Sequence, residues 1–190
     1  MSIIFRIMYI ITGDNRVRVW VTNVGRQPYA VVNPIWMWLI MGYGPIDSVV
    51  LIYNRNVNQE RAQVERLLSR VFRSFNIKVS IYREEASEEW ARYTDDFLDI
   101  LDEYSEYARE IIVDLTPGRK FMAISIFNTY SILKKRRIRV VYLHLLDPAY
   151  QQKPLPVIPL SLQRFIIADL GPVGWFNKLK IFLYRLFYGG

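Results

Sequence analysis

Apolar and polar positions along this chain follow two periods that take turns, one strand-like and one helical. Ser2–Ile11 and Arg16–Val24 are rich in Ile, Val, Tyr, Phe and Trp, and they flank Gly13-Asp14-Asn15. Two β-forming runs around such a turn predict a β-hairpin. Pro34–Met41 reads as a short apolar helix, opened by Pro34 and closed by Gly42. Asp47–Tyr53 is almost continuously apolar, the pattern of a parallel strand covered on both faces. From Asn58 to Phe75 the residues Val64, Leu67, Leu68, Val71, Phe72 and Phe75 fall on one helical stripe. Ile77–Tyr82 alternates as a strand. Ser87–Ala108 predicts a long helix capped by Ser87, with Trp90, Tyr93, Phe97, Ile100, Leu101 and Tyr104 inward and the acids outward.

The second half repeats the alternation. Ile111–Leu115 predicts a buried strand, Thr116-Pro117-Gly118 a tight turn, Arg119–Lys134 a helix and Arg139–Leu145 another strand. Pro148–Pro159 is a Pro-rich loop, Gln163–Ala168 a last strand, and Trp175–Tyr188 a terminal amphipathic helix. Strands alternating with helices define an α/β fold: a mostly parallel sheet with helices on both faces, here with an N-terminal β-hairpin and a C-terminal helix. The expected division is one domain over residues 1–170 and a helix over residues 171–190.

Composition narrows the chemistry. At 52% hydrophobic over 190 residues, the chain has enough apolar surface for a core. With no cysteine and one histidine, His144, it can build neither a disulfide framework nor a Cys- or multi-His metal site. No metal and no cofactor are expected. No run reaches the ~18 apolar residues of a spanning helix, so the expectation is a soluble, cytoplasmic protein.

The net charge of +7 is unevenly spread. Glu84–Glu110 holds eleven acidic residues and two basic ones, and the rest of the chain holds 23 basic against 7 acidic. The basic part includes Lys134-Lys135-Arg136-Arg137, Arg139 and a row at Arg61, Arg66, Arg70 and Arg73. These are either solvated helix faces or a surface for an anionic partner.

In a doubly wound sheet a ligand binds outside the carboxyl ends of the strands, where the strand order reverses. Two stretches qualify: Thr22-Asn23-Val24-Gly25-Arg26-Gln27-Pro28 after an early strand, and Asp114-Leu115-Thr116-Pro117-Gly118-Arg119-Lys120 before a helix. Gly118 lets the backbone turn sharply and approach a ligand. The helix start points free N–H groups and its positive dipole end at the same place, where Arg119 and Lys120 add full charges. The glycine spacing of a P-loop or dinucleotide fingerprint is absent.

The stretch Val113–Met122, VDLTPGRKFM, resembles the signature of CARF domains, the CRISPR-associated Rossmann-fold sensors of cyclic oligoadenylates. The loop Thr22–Asn33, the strand Ser48–Tyr53 and the strand Tyr142–Leu145 fit that family's order of elements, and the likeness covers Val17 to Asp169. It implies a Rossmann-like fold and a homodimer with an adenylate ring bound across its axis. A two-fold ring on an isologous interface receives the same loops from each protomer. Carried over by position, Thr116, Pro117, Gly118, Arg119 and Lys120 would contact phosphate and ribose. Asn23, Gly25, Arg26 and Gln27 would line the ring, and Asp114 would orient the turn.

CARF proteins often carry a second domain, for which residues 170–190 leave no room, so the chain is similar to the standalone ring nucleases. That resemblance implies metal-free opening of cyclic tetra-adenylate in type III CRISPR signalling. Arg119 and Lys120 would stabilise the phosphorane, Lys120 would protonate the leaving oxygen, and Thr22 or Asn23 would position the attacking 2′-OH. The alternative is a non-catalytic sensor that signals through its C-terminal helix to a partner or a membrane surface. No DNA-reading motif accompanies the Lys134–Arg139 cluster, and no DNA partner is expected.

Overall fold

The computed structural model describes residues 17–118, 120–130 and 138–169, the last five residues of the fourth helix and the last two of the sixth strand by backbone only. The strands are β1 (Val17–Asn23), β2 (Ser48–Tyr53), β3 (Ser80–Glu85), β4 (Ala108–Asp114), β5 (Ile138–Leu145) and β6 (Gln163–Asp169). The helices are α1 (Pro28–Ile40), α2 (Asn58–Ser74), α3 (Trp90–Ser105) and α4 (Lys120–Tyr130). The strands form one sheet in the order β3-β2-β1-β4-β5-β6. All neighbours pair parallel except β5 and β6, which are antiparallel. This is a Rossmann-like α/β fold.

Period-two alternation distributes the core between two layers. Val19 and Val21 of β1 pack with Tyr93, Phe97 and Leu101 of α3 on one face. Trp20 between them packs with Val31, Ile35 and Trp38 of α1 and Val64 and Leu68 of α2 on the other. β4 repeats the scheme, Ile111 and Val113 facing α3 and Ile112 facing α1 and α2.

Several boundaries differ from the sequence reading. The first apolar helix begins at Pro28, not Pro34, and Pro34 lies inside it. Pro28 supplies the fixed φ of a first helical position, and burial of Val31, Val32 and Ile35 carries the helix through Pro34. The third strand is Ser80–Glu85 rather than Ile77–Tyr82. Asn76, at φ 53°, closes α2. Its N–H donates to the Arg73 carbonyl and that of Ile77 to the Phe72 carbonyl, both at 3.0 Å. Ile77 is thereby held by the helix end and cannot enter the sheet. The long acidic helix begins at Trp90, whose side chain is 55% exposed rather than inward. Ser87 is not its N-cap: it accepts from the Glu89 N–H at 3.1 Å and donates its own N–H to Asp96 at 2.7 Å. The Pro-rich loop contains two short 3-10 turns, Pro148–Tyr150 and Leu155–Val157, and a third, Leu160–Leu162, joins it to β6. The first strand of the predicted hairpin, residues 131–137 and the terminal helix lie outside the described residues.

The charge segregation is also less complete than the sequence suggests. Glu110, 4% exposed, pairs with Arg18 at 2.6 Å and with Arg139 at 3.0 Å. Both guanidinium groups lie over the Trp38 ring, 5.8 and 5.5 Å from its centroid. Arg139 therefore belongs to a buried ionic cluster tying β1, β4 and β5, not to a basic surface.

Candidate functional site

The strand order reverses between β1 and β4, so the loops after these two strands lie side by side at the carboxyl edge of the sheet. The last rung of β1 on β2 is the bond from the Val24 N–H to the Ile52 carbonyl at 2.7 Å, and β1 ends there, at Asn23. β4 ends at Asp114, and Leu115 then donates to the Val141 carbonyl at 2.9 Å. A Cβ at Gly25 would lie 3.9 Å from the Gly118 nitrogen, which measures how closely the two loops approach. Gly118 holds φ +107°, and a Cβ there would meet Met122 Sδ at 3.0 Å and Asn23 Cβ and Nδ2 at 3.5 Å. Glycine is needed for both the angle and the space.

Between the loops lies an open cleft of about 570 Å³. Its walls include Gly25, Arg26 and Gln27 from one loop and Thr116, Pro117 and Gly118 from the other. Asn54, Asn56 and Glu88 complete it from the ends of β2 and β3. Arg26 is exposed and brings a full positive charge. Glu88 Oε1 accepts from Asn54 Nδ2 at 2.6 Å, and Asn54 Oδ1 accepts from the Asn56 N–H at 2.8 Å. Gln27 Nε2 donates to Gln151 Oε1 at 3.3 Å, so the Pro-rich loop borders the same side.

Beneath the cleft is a buried polar floor. Asp114, fully enclosed, accepts from Thr22 Oγ1 at 3.1 Å and from the Thr116 N–H at 2.8 Å. Thr116 Oγ1 accepts in turn from the Leu143 N–H at 2.8 Å. Burial pushes the Asp114 carboxyl up to about 7, against the pull of its Thr116 and Thr22 hydrogen bonds. Asn23 Oδ1 accepts from the buried Tyr93 hydroxyl at 2.8 Å.

The structure thus brings Gly25, Arg26, Gln27, Thr116, Pro117 and Gly118 together and leaves other candidates aside. Thr22, 1% exposed, serves Asp114 and has no face on the cleft, which corrects its reading as a group that positions a reacting hydroxyl. Asn23, 3% exposed, lies below the cleft rather than along it. Lys120 opens α4 with its side chain exposed and is not part of the cleft wall. Arg119 lies outside the described residues. Asn54, Asn56 and Glu88 escaped the sequence reading, although the polar triplet Asn54-Arg55-Asn56 directly follows a strand and so falls at the same sheet edge. Among the described residues no group of three His, Asp or Glu side chains is placed to hold a metal. No helix among them is long and apolar enough to cross a membrane.

Fold and cleft together define a Rossmann-like α/β protein with an open polar site at its topological switch point. Comparison with known proteins supports the fold. No family model and no curated protein matches the chain. Among solved structures it is similar to protein VC1899 from Vibrio cholerae, at 12% identity and TM-score 0.50, over 83% of this chain and 34% of that one. The chain therefore spans about a third of the Vibrio protein. Weaker likenesses are glycinamide ribonucleotide transformylase 1 from Symbiobacterium toebii and formyltetrahydrofolate deformylase from Burkholderia mallei. The first has 14% identity and TM-score 0.33, over 71% of this chain and 55% of that one. The second has 10% identity and TM-score 0.35, over 87% of this chain and 59% of that one.

Proposed function

We propose that this chain is a CARF-type receptor for a cyclic oligoadenylate in type III CRISPR signalling, binding a cyclic tetra-adenylate across a homodimer. The observation that carries the reading is the meeting of its two loops. Gly25-Arg26-Gln27 and Thr116-Pro117-Gly118 face one cleft at the switch point, with Gly118 opened to φ +107°. Arg26 supplies charge for phosphate, and the polar wall of Asn54, Asn56 and Glu88 suits ribose and base edges. Each protomer would present this cleft to one half of the ring.

Cleavage would follow a metal-independent route. A ribose 2′-OH attacks its adjacent phosphorus and loses its proton, the bond to the 5′-oxygen breaks, and that oxygen takes up a proton. The product ends in a 2′,3′-cyclic phosphate. Lys120, at the start of α4, is the candidate proton donor, beside Arg119. A second reading, a sensor that binds without cleaving, is favoured by the burial of Thr22 and Asn23, which removes the groups expected to align the 2′-OH.

Incubation with cyclic tetra-adenylate in EDTA, followed by chromatography, separates the two. Di-adenylate with a cyclic phosphate end, lost in Lys120→Ala, supports the nuclease. Tight binding with an intact ring supports the sensor. Absence of binding to any ring size overturns both.

A further inference from the structure

A second polar groove lies away from the cleft, between α2 and the sheet-edge strand β3. Its volume is about 580 Å³, and Arg66, Arg70, Arg73 and Arg83 line it, with Glu65 as the only acid among the described residues. Glu65 is already committed. Arg83 donates to it through Nε at 2.8 Å and Nη2 at 2.6 Å, and Arg61 pairs with it from the preceding turn. These arginines hold its carboxyl below the usual range and therefore charged. Arg66, Arg70 and Arg73 have no such partner: among the described residues their side chains make no ion pair or hydrogen bond.

The three form a line. They occupy positions i, i+4 and i+7 of α2, so they stand on one face and span about 10 Å along the axis. Three like charges on one helix face repel one another, and the one acid described in the groove, Glu65, is already taken by Arg61 and Arg83. An extended anion would.

The surroundings select the kind of anion. None of the large exposed hydrophobic residues among the described ones lies on α2 or β3. A protein partner would lack the apolar centre that interfaces use, and a membrane would find nothing to bury. Phosphate contacts need neither, and guanidinium groups match phosphate oxygens in pairs.

We infer that the groove between α2 and β3 binds the phosphodiester backbone of one nucleic-acid strand, through Arg66, Arg70 and Arg73. Among the described residues no aromatic side chain lines the groove, so binding reads charge and not bases. This site is independent of the proposed cleft ligand.

The test is fluorescence anisotropy with labelled single-stranded RNA, single-stranded DNA and duplex DNA across about 50 to about 200 mM salt. The full chain binds the single strands regardless of sequence. The triple variant Arg66→Gln, Arg70→Gln, Arg73→Gln loses about tenfold or more in affinity. Its slope of log affinity against log salt falls by about 2, three contacts at ~0.7 each. The Tm of the variant is not lowered, since the three side chains are exposed and their mutual repulsion is removed, and Arg92→Gln on α3 binds as the parent does. Parent-like affinity and slope in the triple variant overturn the inference, as does no binding by the parent at low salt. A parent that instead self-associates at low salt, with only that property lost in the variant, assigns the face to a second copy and overturns it equally.

Discussion

Asp114 is walled in beneath the cleft, and its carboxyl titrates between the unfolded value of 3.8 and about 7 in the folded protein. The folded state therefore holds a proton that the unfolded state has released. Stability from this group is highest in acid and falls as pH rises from about 4 to about 7, by up to about 4 kcal/mol. Denaturant titrations across that window should show this slope, and Asp114→Asn should flatten it. At Gly118, substitution by Ala forces a side chain into φ +107° and within 3.0 Å of Met122 Sδ. A loss of about 1 to 3 kcal/mol is expected from strain, read as a lowered Tm. In the sequence Gly118 was legible as part of a tight turn, and Asp114 as a residue near the end of the buried strand before it. The direction of Thr22 and Asn23 was not. Along a strand each residue faces opposite to the next, and only the pairing with β4 and α3 shows that Thr22 meets Asp114 and Asn23 meets Tyr93.

Among the elements, periodicity located the central strands and the helices best, because β1, β2 and β4 bury nearly every position and α2 and α3 bury one continuous stripe. It failed where local hydrogen bonding overruled pattern. The Asn76 turn removed Ile77 from β3, and the edge position let Arg83, Glu84 and Glu85 continue that strand. An edge strand tolerates charge on its open side, so hydropathy could not find its end. The Pro-rich loop is similarly anchored by a residue with no visible signal in the sequence. Buried Asn33 of α1 donates to the Lys153 carbonyl at 2.9 Å and accepts from the Leu155 N–H at 3.0 Å. Asn33→Ala leaves both groups unpaired and should cost about 2 kcal/mol. Hydrogen exchange should then rise at Leu155 and its neighbours, while α2 and β2 keep their protection; unchanged exchange at Leu155 would show the anchor to be elsewhere.

For the whole molecule, alternation of elements gave an α/β sheet, but not the order β3-β2-β1-β4-β5-β6 that places the switch between β1 and β4. That order makes neighbours of two loops separated by some ninety residues, as the Thr22 to Asp114 contact shows. The candidate site was thus half visible. Its two glycine loops stood out, whereas Asn54, Asn56 and Glu88 join only through the topology. Whether the cleft takes an adenylate ring is decided by a calorimetric titration of the full chain with cyclic tetra-adenylate, beside Arg26→Ala. Saturable binding at one ring per two chains is expected, with about tenfold or greater weakening in the variant, about 1.4 kcal/mol or more. No binding of the ring, or equal affinity in Arg26→Ala, would contradict this expectation.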